Sequence, residues 1–337
     1  MSLNLQSMTN WDEVKKGLGG TTGKAFDEKV LTTAAKAKVF GHDAAIDQIG
    51  IQLKRCIGRA QAAGGKLQKP TGVFLLSGPP CSGKSLFCKV ATEKIYDGNA
   101  QFERLVMEQF MQPTARTDLF GSPAGYAGGK GKVTSALQRN PRTVFELEGI
   151  EKAHTEVLRI LQTGWKDSYF TDIHSSERVS NTDAIFFLTT TIAWEQLRQI
   201  EEAHKGNPMR RQDAIHDALV QGGLGMDLVA RLDDAFVFEP LDNRSLARMA
   251  EAEIRQTVAV YGLTVTKIDV KYLFNLVSDE ESRTGAIRNI GRRVDFELAD
   301  QFLELGQKGV KSVAITLEDG RAIVRDSATP PPPLPTT

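Results

Sequence analysis

Short apolar runs alternate with amphipathic segments along most of the chain, a pattern that predicts strands laid between covering helices. Gly72-Val-Phe-Leu-Leu-Ser77, bounded by Pro70 and Gly78, is continuously apolar rather than alternating. That is the signature of a parallel strand buried on both faces. Arg142-Thr-Val-Phe-Glu-Leu-Glu148 and Asp183-Ala-Ile-Phe-Phe-Leu-Thr189 have the same character. Strands spaced by helical segments from Val39 to about Pro240 predict an α/β fold with a parallel sheet covered by helices.

Beyond Pro240 the pattern changes. Residues 243–261 and 286–306 carry apolar residues at three- and four-residue spacing and predict two amphipathic helices. Val313–Leu317 and Ala322–Val324 flank Glu318-Asp319-Gly320, which predicts a β-hairpin. The expected organisation is therefore an N-terminal extension (1–36), a large domain (37–240), a smaller helical domain ending in a hairpin (241–326) and a proline-rich tail (327–337). In the extension, Asn10 and Glu13 resemble a helix start that would put Trp11, Val14 and Leu18 on one face. That face could dock on the large domain or on a partner. The tail, Pro330–Pro333 then Leu334-Pro335, can form polyproline II or stay solvated.

Charge removes some partners from consideration. Lys plus Arg and Asp plus Glu both number 42, so nothing attracts the chain as a whole to nucleic acid or to an anionic membrane. No apolar stretch approaches the ~20 residues needed to cross a bilayer. The first residues lack the basic start and apolar core of a secretory signal. Cys56, Cys81 and Cys88 have no metal-ligand spacing and are odd in number, which suits reduced thiols in a cytoplasm.

The chemistry concentrates at Gly78-Pro79-Pro80-Cys81-Ser82-Gly83-Lys84-Ser85, a match to G-x-x-x-x-G-K-[ST] directly after an apolar strand and before a helical segment, Leu86–Ile95. The glycines let successive N–H groups converge on phosphates, and the helix adds its positive N-terminal end. Lys84 can reach the outer phosphates, and Ser85 can ligate Mg2+. Cys81 at a helix start could become an oxidisable thiol, although a small inert filler is the plainer reading.

Around this loop the sequence resembles the AAA+ family, in particular the C-terminal ATPase module of the Clp chaperone-unfoldases, from about Val39 to Asp326. Val39-Phe40-Gly41-His42 resembles the adenine-side segment, with His42 where the family usually carries glutamine. Gly125-Tyr126-Ala127-Gly128 resembles the pore loop whose aromatic residue grips a polypeptide. Ile150-Glu-Lys-Ala-His154 sets the register of the acidic strand, Leu228-Val-Ala-Arg231-Leu-Asp233 matches the arginine-finger segment, and Gly285-Ala-Ile-Arg288 resembles the sensor-2 turn. The resemblance implies an ATP- and Mg2+-binding ring, a hexamer in the family, that threads an unidentified protein substrate. In it Glu148, Thr191, Arg231 and Arg288 hold the catalytic positions, and Ser85 with Glu148 holds the metal. An ordinary surface ion pair for Arg231 and a plain turn for Tyr126 are the alternatives.

Two positions depart from the family. Its Asp-Glu pair falls on Glu148 and Gly149, and its sensor-1 asparagine on Thr191. Gly149 cannot polarise a water, and a missing general base costs about 10²–10⁴ in rate. Glu146 shares a strand face with Glu148 by two-residue periodicity, and Glu151 is expected to open the next helix. Residues 204–225 lack the Ile-Gly-hydrophobic loop of protease-coupled relatives, so no Clp-type peptidase partner is expected. Slow hydrolysis coupled to remodelling is one expectation; a non-hydrolysing, ATP-responsive scaffold is the other.

Overall fold

A computed structural model describes residues 26–64, 66–123, 129–204, 206–278 and 287–327. The segments around Trp11 and along the proline tail lie outside the described residues. The chain divides into two units, Met1–Pro79 with Gly83–Glu239, and Pro80–Ser82 with Pro240–Thr337.

The first unit is built on a five-stranded, all-parallel sheet of β1 (Gly72–Ser77), β2 (Gln101–Val106), β3 (Thr143–Glu148), β6 (Ile185–Thr190) and β7 (Asp234–Val237), in the order β2-β3-β6-β1-β7. Two short strands, β4 (Tyr169–Thr171) and β5 (Arg178–Ser180), pair antiparallel beside it. Successive side chains of a strand point to opposite faces. Val73, Leu75, Phe145, Leu147, Phe186 and Leu188 accordingly pack in one apolar cluster, and Phe74, Leu76, Val144, Ile185 and Phe187 in another. A sheet covered on both sides needs no polar face, which explains the unbroken apolar runs.

Three helices cover the second cluster: α1 (Glu28–Lys38), α2 (Asp43–Ala63) and α3 (Lys84–Lys94). The Asp27 carboxylate accepts from the Lys29 N–H at 2.9 Å and caps α1, whose last turn carries Lys36 and Lys38. Both ends therefore complement the helix dipole. Leu31 and Ala35 are fully buried in the same cluster as β1, so a boundary at residue 36 falls inside a helix of the large unit. Gly64 ends α2 in the left-handed conformation (φ 55°).

The second unit contains helices Asn243–Val260, Val270–Ser278 and Ile287–Gln307 and a three-stranded sheet of β8 (Thr264–Ile268), β9 (Ser312–Glu318) and β10 (Arg321–Asp326), in the order β10-β9-β8. β9 and β10 form the expected antiparallel hairpin, and its turn places Asp319 and Gly320 at φ 46° and 76°. Those positive angles fit the primed turn that the Asp-Gly pair signals. Ile254, Val258, Val294, Leu298, Phe302, Val313 and Ile315 fill its own apolar cluster. Among the described residues no helix is long and apolar enough to cross a membrane.

Phe186, at the centre of the sheet, stacks on Phe145 with ring centres 4.9 Å apart and packs against Trp165 at 5.3 Å. Phe186→Ala should lower the unfolding free energy by about 3–5 kcal/mol, because a large cavity opens in a rigid sheet. Urea denaturation of both proteins measures it, and a loss under ~1 kcal/mol would mean that this core is not packed as described.

Candidate functional site

The parallel register brings three strand ends level. Ser77 of β1 lies beside Thr190 of β6, and Leu76, Thr189 and Glu148 form one row across β1, β6 and β3. The loops that follow (78–83, 149–154 and 191–193) therefore leave the same carboxyl edge, where open α/β sheets bind ligands. The Ser77 hydroxyl donates to the Ile192 carbonyl at 2.6 Å, and the Gly149 N–H to the Thr189 carbonyl at 2.9 Å, fixing these exits.

Each glycine of the phosphate loop has a local reason. A Cβ at Gly78 would stand 2.1 Å from the Phe238 carbonyl oxygen, so β1 can leave the sheet there only without a side chain. Gly83 takes φ 90°, and a Cβ on it would lie 3.2 Å from Val39 Cγ1. Val39 is buried, Phe40 half-buried, and the His42 ring lies 4.7 Å from that of Phe238. Cys81 adopts φ 61°, in the left-handed region that side chains rarely enter. Pro79, Pro80 and Ser82 complete the loop. Helix α3 begins at Lys84, two residues before the expected Leu86, which is exposed. The Lys84 ammonium donates to the carbonyls of Gly78 and Pro79, both at 2.7 Å, and is thereby held across the loop.

The acidic strand carries more charge than the motif alone reveals. Glu148 is half-buried, and Arg104 on β2 donates to its Oε2 twice, from Nε at 2.9 Å and Nη2 at 2.5 Å. Glu146 sits two residues back on the same face, opposite Arg104 in register, and is fully buried. Arg104 Nε stands 3.7 Å from its carboxylate. The Ser85 hydroxyl is close enough to favour the charged form, short of a hydrogen bond of normal geometry. Burial nevertheless wins and pushes the Glu146 pKa up. Burial likewise pushes the Cys88 thiol, one turn into α3, well above its usual range.

At the exit of β3, Gly149 takes φ 68° and ψ 54°, and the chain turns at once into a 3-10 turn, Ile150–Lys152. Glu151 lies in that turn and does not open the following helix, Thr155–Asp167, which His154 caps. The turn carries Glu151 to the end of β6, where Thr191 donates to its Oε1 from N–H (3.3 Å) and hydroxyl (3.2 Å). Its Oε2 is buried with no hydrogen-bond partner. Two strand exits thus place a carboxylate beside Thr191. The two residues are 40 apart in the chain, a separation that carries no meaning until the strands are paired, so sequence reasoning misses the contact.

Other predicted residues fall elsewhere. Arg231 is exposed just after the short helix Met226–Val229, and among the described residues it makes no ion pair. The nearby Asp233 is engaged by Lys69 at 2.5 Å and Arg59 at 3.3 Å. Tyr126 lies outside the described residues. The segments flanking it are anchored: the Ser122 N–H donates to the Gly129 carbonyl at 3.0 Å, and the Gly131 N–H to the fully buried Asp172 at 3.2 Å. Arg288 lies in the first turn of Ile287–Gln307 in the second unit. Among the described residues no three His, Cys, Asp or Glu side chains cluster as a metal cage.

Residues 69–235 match the family model "AAA domain (Cdc48 subfamily)". The chaperone protein ClpB of Rhodopirellula baltica is 30% identical over 240 residues, which is 70% of this chain and 26% of that protein. ClpB of Helicobacter hepaticus is 30% identical over 247 residues, 73% of this chain and 26% of the relative. The ATP-dependent Clp protease ATP-binding subunit ClpE of Lactococcus lactis is 25% identical over 308 residues, 88% and 40% of the two chains. The matched region thus spans about a quarter of the ClpB relatives.

Gly149 has room for a side chain, since the nearest atom to a Cβ there is Lys152 Cδ at 3.6 Å, but its backbone is left-handed. Gly149→Glu should therefore cost about 1–2 kcal/mol of stability through strain alone. Thermal unfolding followed by circular dichroism checks this. A variant as stable as the parent would mean that the turn relaxes to an ordinary backbone.

Proposed function

Because residues 69–235 match the AAA domain (Cdc48 subfamily) and the chain carries an AAA+ ATPase module like those of the Clp unfoldases, we propose that it binds ATP with Mg2+ at residues 78–86 and forms a nucleotide-dependent ring that remodels or threads a protein substrate, with slow hydrolysis. Phosphates would lie on the N-terminal end of α3, with Lys84 released from the Gly78 and Pro79 carbonyls to the outer phosphates. Val39, Phe40 and His42 would form the adenine side. Mg2+ would sit between Ser85 and the acidic face of β3, neutralising phosphate charge. Arg231, exposed and without an ion pair among the described residues, is suited to reach the γ-phosphate of a neighbouring subunit, an effect worth orders of magnitude in rate. Arg288 would take the sensor-2 role, and Tyr126 would grip substrate.

The observation that carries this reading is the contrast between the two halves of the strand edge. The binding half keeps every residue of its motif, with Gly78 where a Cβ would meet the Phe238 carbonyl, Gly83 at φ 90° and Lys84 spanning the loop. The hydrolytic half has no side chain at residue 149. Thr191 and Glu151 could orient a water together, but one Glu151 oxygen is already taken by Thr191. That same contrast supports the second reading, an assembly that responds to ATP without cutting it.

Nucleotide affinity and steady-state phosphate release of the parent and Lys84→Ala separate the two. Lys84→Ala should lose nucleotide binding by at least about 10-fold, the loss of a charge-assisted contact to phosphate. Turnover of the parent should be slow but above that of the variant. Tight binding with turnover no higher than the variant's would leave the non-hydrolysing reading.

A further inference from the structure

We propose that Glu146, and not Glu148, is the β3 carboxylate that faces the metal ion beside Ser85. The inference rests on the nucleotide-binding reading above and changes which residue of the acidic strand serves it.

A glutamate at the centre of Thr143-Val-Phe-Glu-Leu-Glu148 interrupts a strand whose neighbours Phe145 and Leu147 are fully buried. Glu146 is itself fully buried, and neither of its oxygens has a hydrogen-bond partner. A carboxylate is costly to bury unless something compensates it. Arg104, across β2, stands off at 3.7 Å and bonds closely to Glu148 instead. What Glu146 does face is the first turn of α3: Lys84 and Ser85 act on it, and it acts on Cys88, one turn further on. Those residues share one helix face by the three- and four-residue rule. Two buried carboxyl oxygens that no protein donor satisfies, beside the hydroxyl of residue 85, are the donor set a hard divalent cation prefers.

Glu148 is differently placed. Two Arg104 donors converge on one of its oxygens, so its charge is already compensated at close range. The ion pair fixes Glu148 as a partner of β2, while Glu146 keeps its oxygens for the α3 side. The acidic role has moved two residues back along one strand face.

The test measures binding of a fluorescent ADP analogue to the full chain, with Mg2+ and with EDTA, for the parent, E146Q, E148Q and K84A. Electron paramagnetic resonance of Mn2+ in the presence of ADP reads the metal directly. E146Q should cut the metal-dependent gain in ADP affinity by about 10-fold or more, the usual effect of losing a carboxylate that supports a metal site. E148Q should keep the gain. Loss of the gain in E148Q, or its survival in E146Q, overturns the proposal. If circular dichroism shows E146Q unfolded, E148Q decides alone: a retained Mn2+ signal supports the assignment and a lost one refutes it. A parent that binds ADP without any metal effect refutes this proposal only. A parent that binds no nucleotide, like K84A, refutes the nucleotide-binding reading itself.

Discussion

The level ending of β1, β6 and β3 is the constraint on which the rest of the site depends. Because Ser77 meets Thr190 and Glu148 meets Thr189, three loops of very different sequence start from one edge of the sheet. A one-residue slip of β3 would turn Glu146 and Glu148 into the opposite apolar cluster and present Phe145 and Leu147 to α3. The register is held by the core, since each of these strands buries large side chains on both faces. Packing thus decides which residues can do chemistry.

Charge along that edge is arranged around Arg104. Two carboxylates on one strand face repel each other, and burial penalises the charged form of Glu146. Arg104 lies between them, closely bonded to Glu148 and more distant from Glu146. An arginine suits this place better than a lysine, because its planar donors can serve one oxygen twice while the stem stays on the sheet. Glu148 has a cation beside it, whereas Glu146 is driven toward neutrality by burial and held back by Ser85, Arg104 and Lys84. A divalent cation arriving with phosphates would supply the charge that Glu146 lacks.

Much of this was legible in the sequence, for physical reasons. Strands buried on both faces announce themselves as apolar runs, and the predicted starts and ends of β1, β3 and β6 lie within two residues of those observed. The phosphate loop is local, so its pattern survives without the fold. What stays hidden is non-local. Arg104 belongs to a strand whose mixed polar composition resembles a solvated segment, and only pairing with β3 gives it a role. The need for glycine at residue 78 comes from Phe238, far away in sequence. Helix α1 buries few residues, so its polar sequence looks like part of an extension although Leu31 and Ala35 belong to the sheet's core.

The departure at residue 149 is more than a missing side chain. At φ 68° the chain reverses directly after β3, and the Lys152 N–H closes the turn on the Gly149 carbonyl at 2.9 Å. That reversal brings Glu151 to Thr191, so the absence of one carboxylate and the arrival of another are a single backbone event. An L-residue at 149 would have to accept the left-handed conformation or open the turn, and opening it would withdraw Glu151. A carboxylate on residue 149 therefore either strains this turn or costs the contact of Glu151 with Thr191. The chain has that contact, which holds its carboxylate by two hydrogen bonds rather than leaving it to act on water. On the nucleotide-binding reading, the edge is organised for holding its ligand, and the same turn that removes a side chain at residue 149 fixes Glu151 in place.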